Sequence, residues 1–481
     1  MAVPCSLCSW IAAPVGAAAR PRLPPPIIML ILIENAPRAY AWGSRDALPE
    51  LLGTAPNGEP QAELWLGAHP GAPAKVAGAT PVHRTLIDLI EADPDRYGVG
   101  GGQLPFLLKI LAIGGPLSLQ VHPNRAQAEA GYAREEAAGV PRDAPERNYG
   151  DPNHKPELLV ALSEVSALSG FRDLSEARAD LRALAAAAPS GEGREALAAA
   201  AARCTGRPEA ARSEFLAWAL RGGDEVGAAV RAIHAVVRAG ESALTLDAHQ
   251  AKARAGNGAS TEDAQHSAVR ADEGVWIDAH RLAALRDLTA SYPGDPGVLV
   301  SLLLHLVRLA PGEAIYLGAR QLHAYLSGLA VEVMAASDNV LRAGLTPKHI
   351  DIDELLRVTD PAELDEPRQA ARQVCRGLVV WEPAVPDFKL MRAKLRAPGD
   401  LESNTGEIFL ESADRAESVV LDAPHPLVLV VTEGRVRVER PSDGEVASVR
   451  RGQSLYVSSG EPIELSGAGE AFVATVGDGW A

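Results

Sequence analysis

The sequence predicts a mainly β protein with an α insertion: two jelly-roll (β-roll) lobes plus a helical domain. Three observations carry this reading. Short apolar or alternating runs, broken by Gly, Pro and Asn clusters, fill residues 29–171. From Asp173 the apolar spacing changes to three and four. From about Cys375 the two-residue period returns. Strand side chains alternate between faces and helix side chains repeat every third or fourth residue, so each change of period marks a change of element. The expected divisions are a disordered extension (1–28), a first β lobe (29–171 with 276–374), a helical insertion (172–245), a mobile polar loop (246–275) and a C-terminal β-roll lobe (375–481).

Residues 1–28 are rich in Ala and Pro and have no basic stretch ahead of the apolar part, so they do not read as a secretory signal. The longest apolar run, 27–33, is far short of a membrane span. Met29 is a second candidate start, just before the first strand-like run. LILIE, ELWLGAHP, FLLKILAI, LSLQVHP and PELLVAL then read as strands. GTAPNGEP, VGGGQ and GDPNHKP read as the turns between them.

Leu174, Ala177, Leu181 and Leu184 form one apolar helix face, with Asp173 as its N-cap and Glu176 three residues on. Further helices are expected at 194–203, 208–220 and 224–239. Residues 246–274 are polar and without period, which reads as a loop. A long apolar helix is expected over 297–309, then a turn at 311–313. AIYLGARQLHAYL and LAVEVMAAS resume the strand pattern, and Asp351 caps a short helix at 352–358. Later strands fall at 427–431, 435–439, 453–457 and 471–476. Blocks of strands around a block of helices argue against a doubly wound sheet, and no glycine fingerprint follows a strand.

Of 481 residues, 47% are hydrophobic and only 4% aromatic, so the cores must be largely aliphatic. The net charge of −16 argues against nucleic-acid and membrane surfaces as partners. It also requires a local basic pocket for any phosphorylated ligand, which the global field repels. The four cysteines suggest no disulfide framework, and a reducing cytoplasm suits them. Cys5 and Cys8 form a CxxC without the second pair that a zinc site needs.

In LSLQVHP, the side chains of Ser118, Gln120 and His122 share one strand face. Lys155 and Glu157 share a face just after His154. His323 and Glu332 lie in apolar, strand-like surroundings, and an isolated carboxylate there costs free energy unless it is paired or bound to a metal. Asp338, Arg342 and Lys348 follow closely. Taken singly, these patterns read as well as a solvated sheet face, a surface ion pair and a core histidine. Taken together, two histidines, a carboxylate and an amide oxygen suit zinc, and equally iron or manganese.

The strings YAWGSR, AELWLGAHP, PFLLKIL, PLSLQVHP, NHKPEL, ARQLHAYL and AASDNVLRAGLTPKHID, in this order, are similar to the signature segments of type I mannose-6-phosphate isomerases. The resemblance covers 29 to about 353, apart from the insertion and its loop, and is looser beyond. It implies cupin-like β-rolls with a helical domain. It implies one Zn2+ per chain held by Gln120, His122, Glu157 and His323. It implies interconversion of mannose 6-phosphate and fructose 6-phosphate through a cis-enediol. The protein is expected to be a cytoplasmic monomer. Arg342 resembles the family's active-site arginine. Lys155 and Glu332 are candidates for the proton shift, and His154 and Asp338 for ring opening. Ser118, Lys109 and Lys348 are candidates for phosphate binding. His122, Glu157 and His323 would also compose the two-His-one-carboxylate set of an iron oxygenase. Gln120 and the surrounding basic residues favour the isomerase over that alternative, and Lys155, Glu332 and Arg342 beside the metal set favour it over a cupin that only binds sugar.

Overall fold

A computed structural model describes residues 30–78, 84–254, 277–398 and 414–480. Two antiparallel sheets, of ten and nine strands, carry the fold. The strand His323–Ala335 is the spine of the nine-stranded sheet. Its second half pairs with Phe106–Ile113 on one side and Glu157–Ala161 on the other. Its first half pairs with Gln120–Val121 and Val165–Phe171. Between the halves the register slips at Tyr325/Ser327, and Gly328 takes φ 115°. A Cβ at Gly328 would lie 2.5 Å from the Glu164 carbonyl, so only glycine lets the strand bend here and serve both halves of the cup.

Register decides what each face buries. Trp65, Lys109 and Glu332 are direct neighbours across three strands. Alternation turns Leu64, Leu66, Leu108, Ile110, Val331 and Val333 to the opposite face. There they share a core with Trp381, Leu390, Val428, Tyr456 and Phe472 of the ten-stranded sheet. Each such side chain contributes about 1.5–3 kcal/mol on burial, which leaves the inner face free to carry charged groups.

The strand Leu30–Glu34 departs from the expected grouping. It pairs with Ser454–Val457 and so lies in the C-terminal sheet, not the first lobe. Period two identifies a strand but says nothing of its partner. The expected helix over 297–309 is a helix at Gly297–Ser301 followed by a strand at Leu304–Leu309, which pairs with Val165–Phe171. A continuous apolar run fits both elements, and β-branched Val298 and Val300 do not separate them.

The helices Leu174–Ala187, Glu192–Arg203, Pro208–Arg221, Asp224–Arg254 and Ala279–Ser291 follow the nine-stranded sheet's edge. Asp173 caps the first, accepting from the Ser175 and Glu176 amides at 2.6 and 3.3 Å. Their core runs into Leu119, Val121, Leu322 and Ala324, the outward face of the strands below. The helix Asp224–Arg254 overruns 246–254, expected as loop, because that stretch has no Gly or Pro and is rich in strong helix formers. The remainder of the expected loop and the extension 1–28 lie outside the described residues. The helix Arg125–Ala137 was also not anticipated, although Asn124 and Gln127 cap it reciprocally, at 2.9 and 3.0 Å. No described helix is long and apolar enough to cross a membrane.

Candidate metal centre and cavity

His122, Glu157 and His323 arrive from three chain segments and are buried, at 0, 2 and 0% exposure. One ligand atom from each lies within 4.8 Å of the others. The Nδ1 atom of His122 is 2.7 Å from the Asn339 carbonyl, and that of His323 is 2.9 Å from the Gln321 carbonyl. A carbonyl only accepts, so each ring carries its proton on Nδ1 and turns a lone pair out at Nε2. Burial first, then the Lys155 ammonium, push His122 down to about 4, so the ring is neutral. Both Nε2 atoms lack a hydrogen-bond partner. They nonetheless stand 3.3 and 3.5 Å from the Glu157 carboxylate. With the His122 ring neutral and its proton on Nδ1, a lone pair there faces the carboxylate. A cation among them removes the conflict, and two imidazole nitrogens with a carboxylate oxygen suit a divalent transition metal.

Gln120 sits across the strand pair from His323 on one side and from Arg342 on the other. Its side chain lines a cavity of about 730 Å³, as does that of Glu157. The same cavity is lined by Ser118, Lys109, Lys155, Glu332, Asp338, Arg342 and Lys348. Of the site residues expected from sequence, only His154 lies apart from the centre without lining the cavity. Its Nε2 is 2.8 Å from Asp387 and 3.1 Å from Arg125, where the C-terminal strands meet the first lobe.

Two kinds of charge meet in the cavity. Lys155 Nζ is 2.7 Å from Glu157 Oε1. Burial opposes ionisation of Glu157, but the Lys155 ammonium outweighs it and holds the carboxyl well below its usual range. Lys109 Nζ lies 3.2 Å from Glu332, 3.8 Å from Glu63 and 5.1 Å over the Trp65 ring. Burial disfavours its charge, yet the two carboxylates hold it above the ordinary lysine range. Lys109 therefore belongs with Glu332, and its charge is already shared before any phosphate arrives. Burial and the Glu157 charge raise Glu332 against the pull of Lys109.

Arg342 and Lys348 differ from this pattern, having no carboxylate partner among the described residues. Burial lowers Arg342; burial and then Arg342 lower Lys348. The loop that carries them is held from the end of the helical region. Asp295 accepts the Thr346 amide at 3.3 Å, and a Cβ on Gly297 would meet Leu345 N at 2.9 Å. Leu345 is buried with φ 54°, a conformation that costs a non-glycine residue free energy and persists only where surroundings enforce it.

Sequence reasoning missed four groups. Tyr325 donates toward Glu332 at 2.9 Å and stands 3.3 Å from Glu157. His69 accepts the Gly71 amide at Nδ1, 3.1 Å away, leaving Nε2 3.5 Å from Asp338. Asn339 and Asp151 tie the loops behind the metal ligands. The Tyr325 hydroxyl and the AHP histidine were visible within the quoted motifs; the loop contacts had no local signal.

An antiparallel cup with two histidines and a glutamate gathered beside a cavity lined by charges of both signs defines a cupin-type metal-centre protein. The catalytic-domain profile of type I phosphomannose isomerase matches residues 30–174. Mannose-6-phosphate isomerase of Escherichia coli (strain K12) is 41% identical over 330 residues, covering 67% of this chain and 72% of that protein. The Homo sapiens enzyme is 29% identical over 452 residues, covering 89% and 93%. A crystal structure of a phosphomannose isomerase variant from Salmonella typhimurium superposes with TM-score 0.72 at 31% identity, covering 94% of this chain and 100% of that one. A crystal structure of mannose 6-phosphate isomerase bound with zinc and yttrium gives 0.72 at 32%, with the same coverage. The chain belongs to the type I mannose-6-phosphate isomerase family.

Proposed function

We infer that this chain interconverts mannose 6-phosphate and fructose 6-phosphate in the cavity over His122, Glu157 and His323. The observation that carries the reading is the pair of buried, unpartnered Nε2 atoms turned toward the Glu157 carboxylate. The ion is zinc, one per chain, with Gln120 as fourth ligand. When bound, it supplies Lewis-acid polarisation of the substrate's oxygens.

The reaction moves a proton between C2 of the aldose and C1 of the ketose. It needs a group that carries the proton and positive charge where the enediolate forms. Lys155, on the cavity wall beside Glu157, is proposed to carry the proton. Glu332, with Lys109 and Tyr325, holds the wall behind it. Asp338, backed by His69, is proposed for ring opening. Arg342, Lys348 and Ser118 are proposed to meet phosphate and enediolate charge. In an acidic chain, a half-buried guanidinium without a carboxylate partner is a seat for an external anion. A cytoplasmic monomer is the proposed working form.

A coupled assay from mannose 6-phosphate to fructose 6-phosphate tests the reading. Chelator should abolish turnover and added zinc restore it. Full activity in a demonstrably metal-free preparation would overturn it.

A further inference from the structure

We propose that Asn339 is a positioning residue of the metal centre: its side chain fixes the peptide whose carbonyl orients His122. The proposal rests on the metal-centre reading above. Asn339 is fully buried in the turn between the strands His323–Ala335 and Leu341–Arg342. Its amide is saturated. Oδ1 accepts the Gly150 and Asp151 amides at 2.8 and 3.3 Å. Nδ2 donates to the Asp151 and Asn153 carbonyls at 2.8 and 2.7 Å. A buried amide with both acceptor and both donor positions filled has one orientation.

Asp151 closes the clamp from the other side. Its carboxylate accepts the Ser337 hydroxyl at 2.9 Å, the Asp338 amide at 2.7 Å and the Asn153 amide at 2.9 Å. Loops 150–153 and 337–339 are thereby joined by side chain to backbone bonds in both directions. The first leads into Lys155 and Glu157, the second into Arg342.

The reason for joining them lies in the Asn339 carbonyl, 2.7 Å from His122 Nδ1. His323 donates its equivalent bond to the Gln321 carbonyl, two residues away on its own chain segment, so that bond is made locally. The partner of His122 is 217 residues distant. A shift of the 337–339 turn would leave the ring free to rotate or change tautomer, and the Nε2 lone pair would no longer face the site.

The test compares zinc dissociation constants by chelator competition, far below the unfolding midpoint. Asn339→Asp keeps the shape and one acceptor, loses both N–H donors and sets a carboxylate against Asp151. Asp151→Asn disturbs the clamp without touching His122. His122→Ala is the control. Zinc should bind roughly ten- to a hundred-fold more weakly to Asn339→Asp. Asp151→Asn should shift affinity in the same direction by less. At saturating zinc, Asn339→Asp should lose kcat while KM for mannose 6-phosphate stays within about twofold. Wild-type zinc affinity in both clamp variants, with affinity lost in His122→Ala, overturns this proposal alone. Equal affinity in wild type and His122→Ala overturns the metal centre and the proposal together. If Asn339→Asp does not fold, the Asp151→Asn affinity decides.

Discussion

The Lys155 ammonium lies 2.7 Å from Oε1 of Glu157, two residues along the same segment. The carboxylate therefore serves both a cation of the chain and the proposed metal. The two would compete for its electron density, and a substrate entering between them would loosen the Lys155 contact.

Replacing Lys155 by Met separates these roles. The variant should keep or tighten zinc binding, since Glu157 loses a competitor. Its kcat should fall about 10²–10⁴-fold, the range for loss of a positioned acid–base group. Zinc stoichiometry and steady-state kinetics on one preparation check this. A variant that loses its zinc would make Lys155 a structural partner of Glu157.

Strand parity within LSLQVHP was legible from the sequence. Leu119 and Val121 enter the helical core, and Gln120 lines the cavity. Parity is local, and two residues of spacing suffice to read it. The pairing of Leu30–Glu34 with Ser454–Val457 was not legible, because the partners are some four hundred residues apart and both are apolar. The Asn339 clamp was hidden for the same reason. Its loops carry no periodic pattern, and Asn reads as a turn residue wherever it occurs. The bringing together of Glu157 and His323 with His122 came from resemblance, not from spacing.

Arg342→Ala should lower kcat by about 10²-fold, as for loss of a preorganised charge at a developing oxyanion, with zinc content near wild type. Lys348→Ala, at an exposed loop position, should mainly raise KM for the sugar phosphate. Kinetics with mannose 6-phosphate, beside metal analysis, separate the two. Equal effects on kcat and KM in both variants would mean that the residues act as one phosphate clamp.

The metal-free protein should lose stability in mild acid. Folded His122 titrates at about 4, because burial disfavours its charge, whereas an unfolded histidine titrates near 6.5. Between these values the unfolded chain binds more protons, so stability falls as pH drops through this window. The contribution of His122 is on the order of 3 kcal/mol. Glu157, held well below its usual range, acts with the same sign lower down. Urea melts of metal-free protein between pH 7 and 4 should show the decline, and His122→Gln should flatten it. Equal slopes in both proteins would mean that the ring is not held neutral.

Lys109 offers a test of how the buried charges on the cavity wall support one another. Its ammonium is shared by Glu332 at 3.2 Å and Glu63 at 3.8 Å, all three largely buried. Lys109→Met leaves two carboxylates without a counter-charge and should cost about 3–5 kcal/mol, the range for breaking a buried pair. Glu332→Gln should cost about 1–2 kcal/mol, because Lys109 keeps Glu63 and an amide oxygen can still accept from Tyr325. The double variant should be less destabilised than the sum of the two, since Glu332→Gln removes one of the carboxylates that Lys109→Met strands. Denaturant melts of the four proteins, each metal-free and zinc-saturated, measure that coupling. Strict additivity would show that Lys109 and Glu332 are each satisfied elsewhere. It would remove the reason for grouping Lys109 with this wall rather than with the phosphate.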